Sequence, residues 1–202
     1  MNNYYKTLNE IAAVFDMDQW DEQVNLFTNV INEQLNYFIY RMPRVDEGNK
    51  VRILGGGSHC SFYGGYGKVY VEDKQINSNE LEYNGFIDIS EYREKGLKEI
   101  HVIIKDLSET IATHHESYGC ASMFSQCTYL VEVPWFDTSK ITDMACMFWC
   151  CTSLVNVPKL DISNVISMGS MFFGCESLSE KTKEIWGEIY DFDNNEMKKI
   201  TE

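Results

Sequence analysis

Apolar and polar residues recur along this chain with three different periods, and each period predicts a different element. The first forty residues run at helical spacing. Thr7-Leu8-Asn9-Glu10 has the form of a capping box, followed by Ile11, Ala12 and Phe15. A second helix is expected from about Asp18, with an apolar stripe of Trp20, Val24, Phe27, Ile31, Leu35 and Phe38 that stops at Met42-Pro43. Such a stripe packs on a core or, alternatively, on a partner helix. From Val51 to about Lys105 the period shortens. Val51-Arg52-Ile53-Leu54, Val69-Tyr70-Val71, Phe86-Ile87-Asp88-Ile89 and Ile100-His101-Val102-Ile103-Ile104 read as short strands, with Asn84-Gly85 as a hairpin turn. Near the end, Ser179 is placed to cap a helix through Ile185, Trp186 and Ile189, with Gly187 weakening it by about 1 kcal/mol.

Between these flanks the period is 24 residues. Cys127, Cys151 and Cys175 share it, as do Met123, Met147 and Met171, the phenylalanines 124, 148 and 172, and the leucines 130, 154 and 178. Aligning 120–143 on 144–167 gives eleven identities in 24 without a gap. Composition alone would give about one or two. A third copy from Met168 matches its predecessor at six of eleven positions and stops near Leu178.

A 24-residue unit cannot close a core by itself, so the units are expected to stack. Each carries a period-2 stretch (Leu154-Val155-Asn156-Val157-Pro158), a polar corner (Asp161-Ile162-Ser163-Asn164), a second extended piece (Val165-Ile166-Ser167-Met168) and a turn through Met171-Phe172. Stacking at a spacing of about 4.8 Å would align Met, Phe, Cys, Leu and Val in internal ladders. The cysteines are then small apolar fillers, and the corner Asp and Ser make local side-chain to backbone bonds. The strand at 100–104 is a candidate first, degenerate coil.

The pattern Met-Phe-x-x-Cys-x-x-Leu-x-x-Val-Pro-x-x-Asp-x-Ser-x-Ile/Val-x-x-Met resembles the BspA-type leucine-rich repeat of bacterial surface proteins and mycoplasma lipoproteins. It covers about 120–178. The resemblance implies a short leucine-rich solenoid used for protein binding, with no catalytic residues to carry over. The expected fold is therefore α+β. Residues 1–50 form a helical segment, 51–119 a small β region capping the solenoid, 120–178 the leucine-rich repeats, and 179–202 a helical C-terminal cap. This chain departs from the surface-protein pattern in showing no signal peptide and no anchor.

Charge narrows the function. Seventeen basic and 31 acidic residues leave −14, divided by quarters of the chain as −4, −2, −4 and −4. An evenly acidic surface repels phosphate backbones and anionic membranes, so neither nucleic acid nor membrane is an expected partner. A basic protein partner would be steered toward it. No apolar run reaches membrane-spanning length, and Met1-Asn2-Asn3-Tyr4-Tyr5 is no leader, so a cytoplasmic location is expected.

Catalytic and cofactor sets are weak. Seven cysteines without a C-x-x-C pair suggest neither a disulfide framework nor a zinc site. The glycine-rich stretch 55–67 with Lys68 lacks the Ser/Thr and the spacing of a phosphate-cradling loop. His59-Cys60 lacks an orienting acid, and His114-His115-Glu116 with Cys120 has no recognised ligand spacing. Asp191-Phe192-Asp193-Asn194-Asn195 with Glu202 mimics a calcium loop but has Glu196 where glycine is required. No cofactor or metal is expected, and no enzyme.

What remains is surface. Positions that the repeat leaves free are expected to face outward, and aromatic residues at such positions are what binding hot spots use. Trp149 and Phe173 share one column below Ser125; Tyr129 heads another above Ser153 and Ser177; Trp135 is replaced by Lys159 one unit on. Tyr129, Trp135, Trp149 and Phe173 are the candidate protein-binding residues, with packing under the caps as the alternative for Trp149 and Phe173. The expected function is a non-enzymatic protein-interaction module: a phage or bacterial accessory protein, an inhibitor, an immunity-type protein or a virion component. A surface adhesin and a Cys/His enzyme are the rivals.

Overall fold

The computed structural model describes residues 37–55, 69–72, 74–76, 85–104 and 121–198. These belong to one compact unit, Tyr37–Glu202, apart from a separate unit Met1–Asn36. The helices expected before residue 37 lie outside the described residues. In chain order the strands are β1 (Phe38–Arg41), β2 (Lys50–Arg52), β3 (Val69–Val71), β4 (Lys74–Ile76), β5 (Phe86–Asp88), β6 (Glu99–Ile104), β7 (Leu130–Glu132), β8 (Tyr190–Asp191) and β9 (Glu196–Met197). The α-helices are α1 (Ser90–Glu94) and α2 (Glu180–Gly187).

Five strands form one antiparallel sheet in the order β4-β3-β6-β1-β7. Period-2 patterning sets its faces. On β6, Ile100, Val102 and Ile104 are buried while Glu99, His101 and Ile103 point to the other side. Phe38 pairs with Val102, Tyr40 with Ile100, and Val69 with Ile104, so the buried side chains of three strands share one face. Against that face lies the β2–β5 pair with its extension through Ile53, Leu54 and Gly55. The Tyr40 hydroxyl donates to the Ile53 carbonyl at 2.6 Å in the interior, and the Ile53 N–H donates to Gly85 at 2.8 Å. Gly85 has φ +73, and a Cβ there would strike the Leu54 carbonyl, so glycine is required.

The repeats continue this core, meeting the sheet through Phe38, and their register is 24 residues. The rings of Phe124, Phe148 and Phe172 lie parallel, with centroids 5.7 Å apart at each step. Met123, Met147, Met171, Leu130, Leu154, Cys127 and Cys151 are buried in the same columns. Backbone bonds repeat as well. Ser122, Cys146 and Ser170 donate to Ala145, Gly169 and Asn195, and Phe124 and Phe148 donate to Met147 and Met171.

The expected leucine-rich solenoid is nevertheless not the fold that forms. Among the described residues the repeats contribute a single strand, β7, and it pairs antiparallel with β1 instead of joining a parallel sheet. Parallel pairing between units is reduced to the isolated bridges Glu132–Asn156 and Asp143–Ser167. The reason lies in the turns. Ser122, Gln126, Cys146, Cys150 and Ser170 all have φ between +54 and +61, and Gly174 has +75. Two left-handed residues four apart in each unit wind the Met-Phe segment into a compact turn, which spends the residues a strand would need. The stretch 154–158 also fails to alternate: Leu154 and Val157 are buried, three apart, and Asn156 is exposed.

Other expectations shift in detail. Phe38 and Tyr40 form a strand rather than the end of a helix, because aromatic residues two apart can both enter the core only in extended chain. β6 is the centre of an antiparallel sheet, not a degenerate coil. α1 was not legible by period; its start is fixed by the Asp88 carboxylate accepting from the Ser90 N–H at 2.7 Å. Ser179 does cap α2, accepting from the Thr182 N–H, and Trp186 is fully buried. Gly187 ends that helix and so does not interrupt it.

Both ends of the aromatic column are closed. Phe38 meets Phe124 at 4.7 Å, and at the other end Trp186, Tyr190 and Phe192 surround Phe172 at 5.4, 5.3 and 5.6 Å. The Gly55 N–H reaches the Met123 carbonyl at 2.6 Å, the bond that a preceding phenylalanine would have made.

Candidate functional site

The described surface carries few large apolar side chains, and two of them follow directly after core phenylalanines. Phe148 and Phe172 point inward; Trp149 and Phe173, the next residues, emerge on the outside of the same turn. Their rings stack at 6.4 Å and 11°. Phe173 is 47% exposed and Trp149 is half-buried. The backbone holds them in register. The Gln126 N–H donates to the Trp149 carbonyl and the Cys150 N–H to the Phe173 carbonyl, each at 2.7 Å.

Trp135 is 51% exposed at the far side of its unit, after the buried Val133 and Pro134. Tyr129 is engaged within the molecule: its hydroxyl donates to the Glu47 carboxylate at 3.3 Å, and the Arg41 guanidinium sits 5.7 Å over its ring. Burial raises its phenol above the ordinary range, and the Glu47 charge adds to that rise. Of the four candidate residues the structure therefore brings Trp149 and Phe173 together and gives Tyr129 a role in holding β1 beside the repeats.

The cysteines take a part that spacing alone did not reveal. The Cys151 thiol donates to the Phe124 carbonyl and the Cys175 thiol to the Phe148 carbonyl, each at 3.0 Å. An apolar filler of similar size would leave those contacts unmade, whereas S–H is a weak donor that also tolerates burial. Burial pushes the Cys175 thiol up to about 12 and also raises the Cys127 and Cys151 thiols well above the ordinary range, which keeps all three protonated and poor as nucleophiles or metal ligands. The corner carboxylates are spent locally. Asp137 and Asp161 accept from the Ser139 and Ser163 N–H groups at 2.9 Å, and the serine hydroxyl bonds first, then these backbone bonds, hold both acids below the usual carboxylate range.

The mimic of a calcium loop resolves into a hairpin tip between β8 and β9. The Asp191 carboxylate accepts from the Asp193 and Asn194 N–H groups and from the Asn194 amide. Among the described residues no three His, Cys, Asp or Glu side chains gather as a metal-binding group. Nor is any helix there long and apolar enough to cross a membrane. His59-Cys60, His114-His115-Glu116, Cys120 and residues 56–68 of the glycine-rich stretch lie outside the described residues.

Residues 118–200 match a family described as Mycoplasma protein of unknown function, DUF285. The match spans the three repeat units, α2 and the terminal hairpin. The chain is thus similar to that mycoplasma family over the part of the molecule that carries Trp149 and Phe173. No curated protein and no solved structure matches the chain.

Proposed function

We propose that this chain is a non-enzymatic protein-binding module whose contact surface centres on Trp149 and Phe173. One observation carries the reading: two stacked aromatic rings stand outside the core at positions the 24-residue register does not fix. Ladder residues must match from unit to unit to pack, but this column runs Ser125, Trp149, Phe173. A partly exposed aromatic pair on a rigid turn supplies apolar contact area at little cost in ordering. The acidic surface favours a basic partner. An intracellular accessory, inhibitor or immunity-type protein fits these properties. Kinship of the repeat unit with the BspA-type repeat belongs to the same proposal and rests on the sequence pattern alone. A surface-displayed adhesin is compatible with the mycoplasma match, and labelling of intact cells distinguishes it.

The test is affinity capture from host lysate with the intact chain and with a Trp149→Ala, Phe173→Ala double variant. The reading expects at least one protein held by the first and lost by the second. Equal retention of every captured protein, with both chains folded by circular dichroism, overturns it.

A further inference from the structure

The backbone ladder beneath the aromatic pair is left open at one end. In the first two units the N–H of the second left-handed residue donates across to the next unit, Gln126 to Trp149 and Cys150 to Phe173. In the third unit the corresponding residue is Gly174, and no next unit follows. Its N–H has no acceptor among the described residues, although the neighbouring Phe172 N–H is met by the Tyr190 hydroxyl and the Ser170 N–H by the Asn195 carbonyl. Gly174 also carries no side chain to shield that N–H, whereas Gln and Cys stand at the same place above. The open donor adjoins Phe173, whose ring is 47% exposed at the end of its stack.

Charge defines what fits there. The Ser170–Asn195 bond sets segment 170–176 beside segment 191–196. Together they hold Glu176, Asp191, Asp193 and Glu196 and no Lys or Arg. The nearest following base, Lys198, is turned to the Gly187 carbonyl. A guanidinium combines a flat face for an aromatic ring with positive charge for these acids, and it stacks where an ammonium does not.

We infer that the Gly174 end of the ladder binds an arginine-bearing backbone segment of a partner protein. A carbonyl of that segment accepts the Gly174 N–H, and its guanidinium lies on Phe173 among the acids. The inference rests on the proposed binding role of Trp149 and Phe173 and names the chemistry recognised there.

The probe is an end-blocked, glycine-rich heptapeptide with one central arginine, titrated into the isotopically labelled full chain and followed by amide NMR. Its lysine and citrulline counterparts are the controls. The arginine peptide should shift the Gly174 amide, bind about two- to fivefold more tightly than either control, and lose that margin in Phe173→Ala. Shifts at Trp149 and Phe173 without Gly174, or equal binding of all three peptides, overturn the inference while leaving the aromatic surface standing. No binding of any peptide overturns it too. Loss of every protein partner's dependence on Trp149 and Phe173 in the capture experiment would instead remove the broader reading.

Discussion

In the sheet, Val102 packs between Phe38 and Val71, residues of different type supplied by distant parts of the chain. In the stack, Phe148 packs between Phe124 and Phe172, the same residue from the unit before and the unit after. The sheet is specified by alternation along each strand, so every contact is used once. The stack is specified by one unit written nearly three times, so each core position is a column whose members depend on their neighbours. A defect in the sheet is local, whereas a defect in the middle of a column removes two interfaces.

The sharpest way to break this contrast is to hollow each core at its centre. Phe148→Ala should cost about 3–5 kcal/mol, since it deletes a fully buried ring and two ring–ring contacts. Val102→Ala should cost about 2 kcal/mol, the burial of two methyl groups plus a small cavity. Urea unfolding of both variants checks this. A cost for Phe148→Ala no larger than that for Val102→Ala would mean that the column relaxes around the gap and does not couple its neighbours.

A second test asks whether the two regions open together. β7 belongs to both, being the single strand the repeats contribute among the described residues and the edge partner of β1. Tyr40→Phe removes the buried hydroxyl bond to Ile53 and leaves that carbonyl unpaired, at about 1–2 kcal/mol. If sheet and stack form one cooperative body, Cys175, in the last unit of the stack with its thiol on the Phe148 carbonyl, should alkylate faster by about 5- to 30-fold under native conditions. Peptide mapping after iodoacetamide reads that rate. Acceleration confined to residues of the sheet would show two bodies that merely touch.

The two regions also differed in how far they could be read from residues alone. Column membership was legible, because identity at a fixed offset needs no knowledge of backbone angles; Met147, Phe148, Cys151 and Leu154 are buried as that offset requires. The path of the chain between columns was not. It depends on left-handed turns at Ser122, Gln126, Cys146 and Cys150, residue types that give no warning of positive φ. The same gap hid the hairpin at 190–197, where Asp191 folds the tip through its own carboxylate. In the sheet the strands at 69–71 and 99–104 followed from alternation, as did 86–88 in the separate β2–β5 pair, but their partners did not, since antiparallel order is set by tertiary burial. At the candidate site, the exposure of Phe173 and Trp135 agrees with their freedom in the repeat, while Trp149, in the same free column as Phe173, is half-buried. Attachment of Tyr129 to Glu47 and Arg41 spans most of a hundred residues and left no local mark.

The smallest expected effect belongs to the sheet alone and is electrostatic. Glu72, at the β3–β4 turn, accepts from the His101 backbone N–H at 2.8 Å and lies 3.3 Å from His101 Nδ1, with Glu99 3.7 Å from Nε2. The hydrogen bond to Glu72 raises the His101 pKa against the opposing effect of burial. For Glu72, burial acts upward, but the bonds from His101 outweigh it and the carboxyl ends below its usual range. The signs follow. Stabilisation from His101 is complete below its unfolded pKa, about 6.5, and is lost as pH rises through the higher folded value. That from Glu72 is complete above about 4.3–4.5 and is lost as pH falls through its lowered folded value. Both act fully together only between those limits. Because both side chains are about one-third exposed, solvent screens the pair to under about 1 kcal/mol. The melting temperature should therefore fall slightly from pH 6 to pH 8, and His101→Gln should flatten that slope. The stack has no titrating group among its ladder residues in this range, so Phe148→Ala should leave the slope unchanged while lowering the whole curve. A slope that vanished with Phe148→Ala and survived His101→Gln would place the pH-sensitive contact in the repeats and reverse the contrast between the two regions.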